Sequence, residues 1–117
     1  MRYMKKFESF SETEYNHFCG INISEIYSIN FGWTNIPFFS DYTDKNGKFG
    51  DPELRMEISE IVREKLRRTT KDQLYDILSS EGLIPEIGVS GYTLDLTGQD
   101  IINFFYIIEN IDEHKTK

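Results

Sequence analysis

Asp51-Pro52-Glu53-Leu54-Arg55-Met56-Glu57-Ile58-Ser59-Glu60-Ile61-Val62-Arg63-Glu64-Lys65-Leu66-Arg67-Arg68 carries the clearest structural signal in this chain. Asp51 is a good N-cap, and Pro52 falls at the first helical position, where its missing amide costs nothing. Leu54, Ile58, Ile61 and Val62 recur at helical spacing as one apolar stripe, which predicts a helix running to about Arg68. Glu53, Glu57, Glu60 and Glu64 form an acidic ridge beside it. Working toward the C-terminus, Thr70 can cap a second helix whose Leu74, Ile77 and Leu78 face inward and which Gly82 stops. Leu83 to Leu96, with Pro85, Gly88 and Gly91, reads as one or two short strands around a turn. Tyr92-Thr93-Leu94-Asp95-Leu96 has the β-branched and apolar residues of a strand. Thr97 then caps a last helix with Ile101, Phe104, Phe105, Ile108 and Ile111 as its buried stripe.

Toward the N-terminus the pattern weakens. Ser11-Glu12-Thr13-Glu14 fits a capping box, predicting a short helix through Cys19 that Gly20 ends. Ile21 to Ile29 has both alternating and helical spacing, with a second short helix preferred. Phe31 to Tyr42 breaks both periods and reads as irregular chain or short edge strands. Asn46-Gly47 is a tight-turn signal that places a small hairpin from about Phe38 to Phe49. The expected architecture is α+β: a helix-dominated single domain over residues 1–117, with three main helices and a small antiparallel sheet or hairpin. Fraying is expected at about 1–6 and 112–117.

Composition narrows the function classes. The chain has 117 residues, enough for one core but too few for two. Seventeen aromatic rings compensate for a hydrophobic content of 38%. One cysteine, Cys19, leaves no internal disulfide and suits a reducing cytosol. The basic N-terminus is not followed by an apolar segment of signal-peptide length. The longest apolar run, Phe104 to Ile108, is far too short to span a bilayer. A cytoplasmic location, with no membrane partner, is the expectation.

Charge is the strongest functional clue. The net charge is -7, and it is unevenly placed. From Asp72 to His114 there are nine acids (Asp72, Asp76, Glu81, Glu86, Asp95, Asp100, Glu109, Asp112 and Glu113) and no Lys or Arg. Six of the thirteen basic residues fall between Arg55 and Lys71. A surface of one sign repels nucleic acid and anionic lipid and speeds encounter with cationic partners. Five rings lie between Phe31 and Tyr42 with no cation among them, which also speaks against base stacking.

The chemistry-bearing residues do not assemble into a motif. His17 and Cys19, two apart, diverge on the expected helix, where Cys19 reads as a small buried residue. His114 sits in the expected frayed tail. Two histidines and one cysteine fall short of the four N or S ligands of structural zinc. With Gly47 at the sixth position of a calcium loop, Asp44, Asn46 and Glu53 fit, but Tyr42 stands where the first carboxylate belongs. No catalytic residue, metal or cofactor is assigned.

The segment Ile58-Ser59-Glu60-Ile61-Val62-Arg63-Glu64-Lys65-Leu66-Arg67-Arg68 and the strand-then-helix from Tyr92 to Ile108 resemble bacterial toxin-immunity proteins. The type resembled is that of contact-dependent growth inhibition. The resemblance implies stoichiometric binding to a cognate toxin domain, often a cationic nuclease. Phage-encoded inhibitors of host defence share the same profile of size and acidity. The partner-binding candidates are Asp72, Asp76, Glu81, Glu53, Glu57, Glu60 and Glu64 for steering, with an aromatic anchor. Trp33 is expected to be accessible in that role, or failing it Phe38 or Tyr42. The competing expectation is a small enzyme or ligand-binding domain with a pocket near Trp33, Phe38, Phe39 and Tyr42, served by Asp41 or Asp44.

Overall fold

The computed structural model describes residues 16–33, 41–44, 52–89 and 91–116, with backbone only at Trp33 and Asp41. It is a small α+β domain in which, among the described residues, two antiparallel sheets meet four helices. The strands are β1 (His17–Phe18), β2 (Ile21–Asn22), β3 (Ser28–Trp33), β4 (Asp41–Thr43), β5 (Glu86–Gly88) and β6 (Gly91–Thr97). The helices are α1 (Pro52–Lys65), α2 (Lys71–Ser80), α3 (Gln99–Glu109) and α4 (Ile111–Lys115).

The C-terminal elements follow the sequence pattern. In α1, Ile58 and Val62 are buried, with Leu54 and Ile61 packed at the edge of the core. α2 opens on a full capping box. The Gln73 amide donates to Thr70 Oγ1 at 3.0 Å, and the Thr70 amide donates to Gln73 Oε1 at 3.0 Å. The expected strand at Tyr92 to Leu96 is β6, paired antiparallel with β5. In α3 the stripe is wider than expected, because Ile102, Tyr106 and Ile107 are buried as well. Its N-cap is Gly98 rather than Thr97, with φ 61° and ψ -132°, and no side chain caps the helix. A residue with a Cβ is strained in that conformation, so the chain uses glycine there and forgoes the threonine cap.

The N-terminal expectations need correction. His17–Phe18 and Ile21–Asn22 form a hairpin, not the end of a helix. Its two turn residues, Cys19 and Gly20, have φ of 50° and 88°, the left-handed pair that a type I′ turn requires. Cys19 is consequently exposed, not buried. Ile21 to Ile29 contains strands rather than a helix. Residues Ser28-Ile29-Asn30-Phe31 alternate outward and inward, so the strand period prevails over the helical one. Among the described residues β3 is an inner strand, not an edge, because the sheet order is β4-β3-β6-β5. Tyr42, at the centre of β4, pairs with Ile29 of β3. Ser11 to Tyr15, Phe38, the Asn46-Gly47 turn and Asp51 lie outside the described residues.

One face of the larger sheet carries the core. Ile29, Phe31, Tyr42, Leu94 and Leu96 are buried beneath the helices. Phe104 of α3 meets Phe31 of β3 with ring centroids 4.9 Å apart, and Phe105 meets Phe18 at 4.8 Å. Each such ring contributes on the order of 2–3 kcal/mol through burial alone. The short α4, where fraying was expected, instead buries Ile111 and His114.

Candidate protein-binding surface

The two helices bearing the predicted acids use their buried stripes to fix which side chains remain in water. On α1, burial of Ile58 and Val62 leaves Glu53, Glu57, Glu60 and Glu64 exposed. Glu64 pairs with Arg67 at 3.3 Å, an exposed contact that screening by solvent makes weak. On α2, burial of Leu74 and Leu78 turns Asp72 and Asp76 outward. Asp72 lies in the first turn, where the helix dipole favours it. These six carboxylates are exposed to solvent.

Glu81 does not belong with them. It is the C-cap of α2, and its carboxylate turns inward to His114 of α4, with Oε2 at 3.6 Å from Nδ1. The two side chains are 6% and 2% exposed. This pair ties α4 to the end of α2. It escaped the sequence reading because periodicity gives no warning that a histidine near a chain end will find a buried acid. Lys115 helps hold the same helix, donating from Nζ to the Arg68 carbonyl at 3.3 Å.

Tyr42 is also lost as an anchor. It is 2% exposed, and its ring fills the core beside Ile29, with the Arg55 guanidinium 6.0 Å from its centroid. An alternating strand with one face on the core dictates this. The same burial removes Tyr42 from the lining of the pocket expected near Trp33, Phe38 and Phe39. Trp33 ends β3 opposite Tyr92, but its side chain and all of Phe38 and Phe39 lie outside the described residues. Asp41 and Asp44 flank Tyr42 in β4 and just after it.

Other parts of the surface were not anticipated. The sheet face turned away from the core exposes Thr93, Asp95 and Thr97 of β6 and Glu86 of β5. Ser28 and Thr43 join their hydroxyls at 2.9 Å. A stacked pair, Tyr75 of α2 on Tyr92 of β6, has centroids 5.0 Å apart, with the Lys71 ammonium 5.4 Å from the Tyr92 centroid. Large apolar side chains are exposed at Tyr27, Met56, Ile84, Ile87 and Val89. A groove of about 450 Å³ runs along α1 past Arg55, Met56, Glu60 and Arg63. A smaller cavity of about 260 Å³ lies between Ile23, Tyr27 and Ile102.

Among the described residues no three His, Cys, Asp or Glu side chains converge to hold a metal ion. The Cys19 thiol is pushed above its ordinary pKa, chiefly by partial burial and further by Glu109, against the pull of Lys65. A thiol shifted in that direction is a poor nucleophile at neutral pH. No described helix is long and apolar enough to cross a membrane. No family model, curated protein or solved structure matches this chain.

Proposed function

We propose that this chain is a binding protein that neutralises a basic protein partner by covering its active site or substrate path, in the manner of a toxin-immunity protein. The observation that supports this most is the exposure of Asp72 and Asp76 on α2 together with Glu53, Glu57, Glu60 and Glu64 on α1. Carboxylates held on rigid helices act as a fixed field that draws in a cationic surface. Exposed charges set encounter rather than residence, so the bound lifetime depends on apolar contacts. A nuclease domain, whose own substrate requires a basic cleft, is the partner class that such a field suits best. A phage inhibitor of a host defence protein would use the same physics with a different partner.

The test is neutralisation. The protein is co-expressed with the product of the neighbouring gene, and growth and complex formation are scored. Protection from growth arrest, with a stoichiometric complex that Asp72→Lys/Asp76→Lys weakens, supports the reading. A neighbouring product that is harmless and does not bind counts against it.

A further inference from the structure

Tyr42 belongs to the core, and among the described residues the β5 hairpin offers an apolar anchor for the binder reading. β5 ends the sheet, and no described strand lies on its outer side. Gly88 and Gly91 are paired, with two residues between them in the sequence. By the alternation of an antiparallel ladder, the N–H and C=O of Ile87 then point away from β6, toward the open edge. Ile87 is 72% exposed, Ile84 is 65% exposed and Val89 is fully exposed. Ile87 pairs with Tyr92, which stacks on Tyr75, so its side chain continues the helix-covered face of the sheet beyond the last helix. Native sheets commonly blunt such an edge with Lys or Pro. Here Pro85 stops one residue short of β5, and the strand itself is Glu-Ile-Gly.

Charge decides what the edge accepts. Glu86 stands exposed on the opposite face of β5, beside Thr93, in the same row of β6 residues as Asp95. Asp72 and Asp76 flank Tyr75 on the exposed side of α2. Lys71 lies over the Tyr92 ring, so partner cations are directed to Glu86, Asp72 and Asp76 rather than to that ring. A second copy of the chain is disfavoured, because it would bring the same net charge of -7 to a strand of three residues. We propose that β5 accepts an extended segment of a basic partner protein as an added antiparallel strand. Apolar side chains of that segment rest on Ile87 and Tyr75, and its Lys or Arg side chains meet Glu86 and Asp95 across the outer face. This inference rests on the binder reading and gives it a place.

The probe is a short synthetic peptide of alternating lysine and valine, blocked at both ends, titrated into the full-length protein labelled with nitrogen-15. Saturable shift changes over Ile84 to Leu94, with slowed exchange of the Ile87 amide, are expected. Ile87→Lys, at an exposed position, leaves the melting temperature unchanged and weakens binding by about tenfold or more. A matching peptide of glutamate and valine does not bind. Shift changes confined to Glu53, Glu57, Glu60 and Glu64 would overturn the β5 site while leaving the acidic binder intact. Absence of any saturable change would also overturn the β5 site, whereas the binder reading stands or falls with the neutralisation assay. A doubling of mass without peptide, reversed by Ile87→Lys, would assign the edge to a second copy and overturn the basic occupant.

Discussion

Replacing His114 by Ala probes the least expected contact of the fold. His114 and Glu81 face each other at 3.6 Å with side chains 2% and 6% exposed. Glu81 also caps the C-terminus of α2, where the carbonyls of the last turn already present negative charge. Loss of the imidazole therefore removes one partner of a carboxyl group held in a nearly sealed site at the unfavourable end of a dipole. Breaking a fully buried pair costs about 3–5 kcal/mol. The distance exceeds that of a tight charge-assisted hydrogen bond, so the expected cost is at the low end, about 3 kcal/mol. For a domain of this size that lowers Tm by on the order of 10 °C. Urea unfolding of the wild type, His114→Ala and the double variant Glu81→Leu/His114→Leu measures it. The double variant recovers much of the loss, since well-packed apolar residues often replace a buried pair at little cost. A loss below about 1 kcal/mol in His114→Ala, or a double variant as unstable as the single one, would refute the reasoning.

Other consequences can be checked in the same unfolding assays. Phe104→Ala, which empties a site against Phe31 and Phe105, costs about 3–5 kcal/mol. A cost under about 1 kcal/mol would mean that this ring is not central to the core. Thr70→Ala removes one half of the capping box and costs about 1 kcal/mol, read from the urea midpoint at unchanged slope. Cys19→Asn, at a residue with φ of 50°, gains a few tenths of a kcal/mol because asparagine suits a type I′ turn. Because the Cys19 pKa is raised, the folded state holds the thiol proton more firmly than the unfolded chain does. That contribution is present below the unfolded pKa and is lost as pH rises through the folded value. Alkylation of Cys19 in the folded protein accordingly rises with pH along a curve displaced to higher pH than in the urea-unfolded chain. A curve displaced to lower pH would contradict the assignment.

The C-terminal half was legible because its signals are local and agree with one another. Thr70 and Gln73 form the capping box within one turn, and the apolar stripes of α1 and α2 lie on the helices that display the acids. The N-terminal half depended on partners far along the chain. Ser28 to Trp33 becomes an inner strand because it pairs with Tyr92 to Thr97, and single-segment periodicity does not see that pairing. Six of the seven predicted steering acids are exposed, as helical spacing implied. Glu81 fails because its fate depends on α4, which brings His114 back over the end of α2. Its burial also makes Glu81→Lys a poor probe of binding, because the lysine would be forced into a nearly sealed site beside His114. The exposed isoleucine of β5 left no trace in the pattern, because a three-residue strand is too short for a period to show.

The account rests on helical carboxylates drawing in a basic partner, and association kinetics test that directly. The rate constant for binding to the neutralised partner is measured by stopped flow between low and high salt, for the wild type and for Asp72→Lys/Asp76→Lys. The account predicts a wild-type rate that falls about tenfold or more as screening shortens the reach of the field. It also predicts a variant that associates more slowly at low salt, converges on the wild type at high salt, and melts at the same temperature. An association rate indifferent to salt and to these two reversals would contradict it.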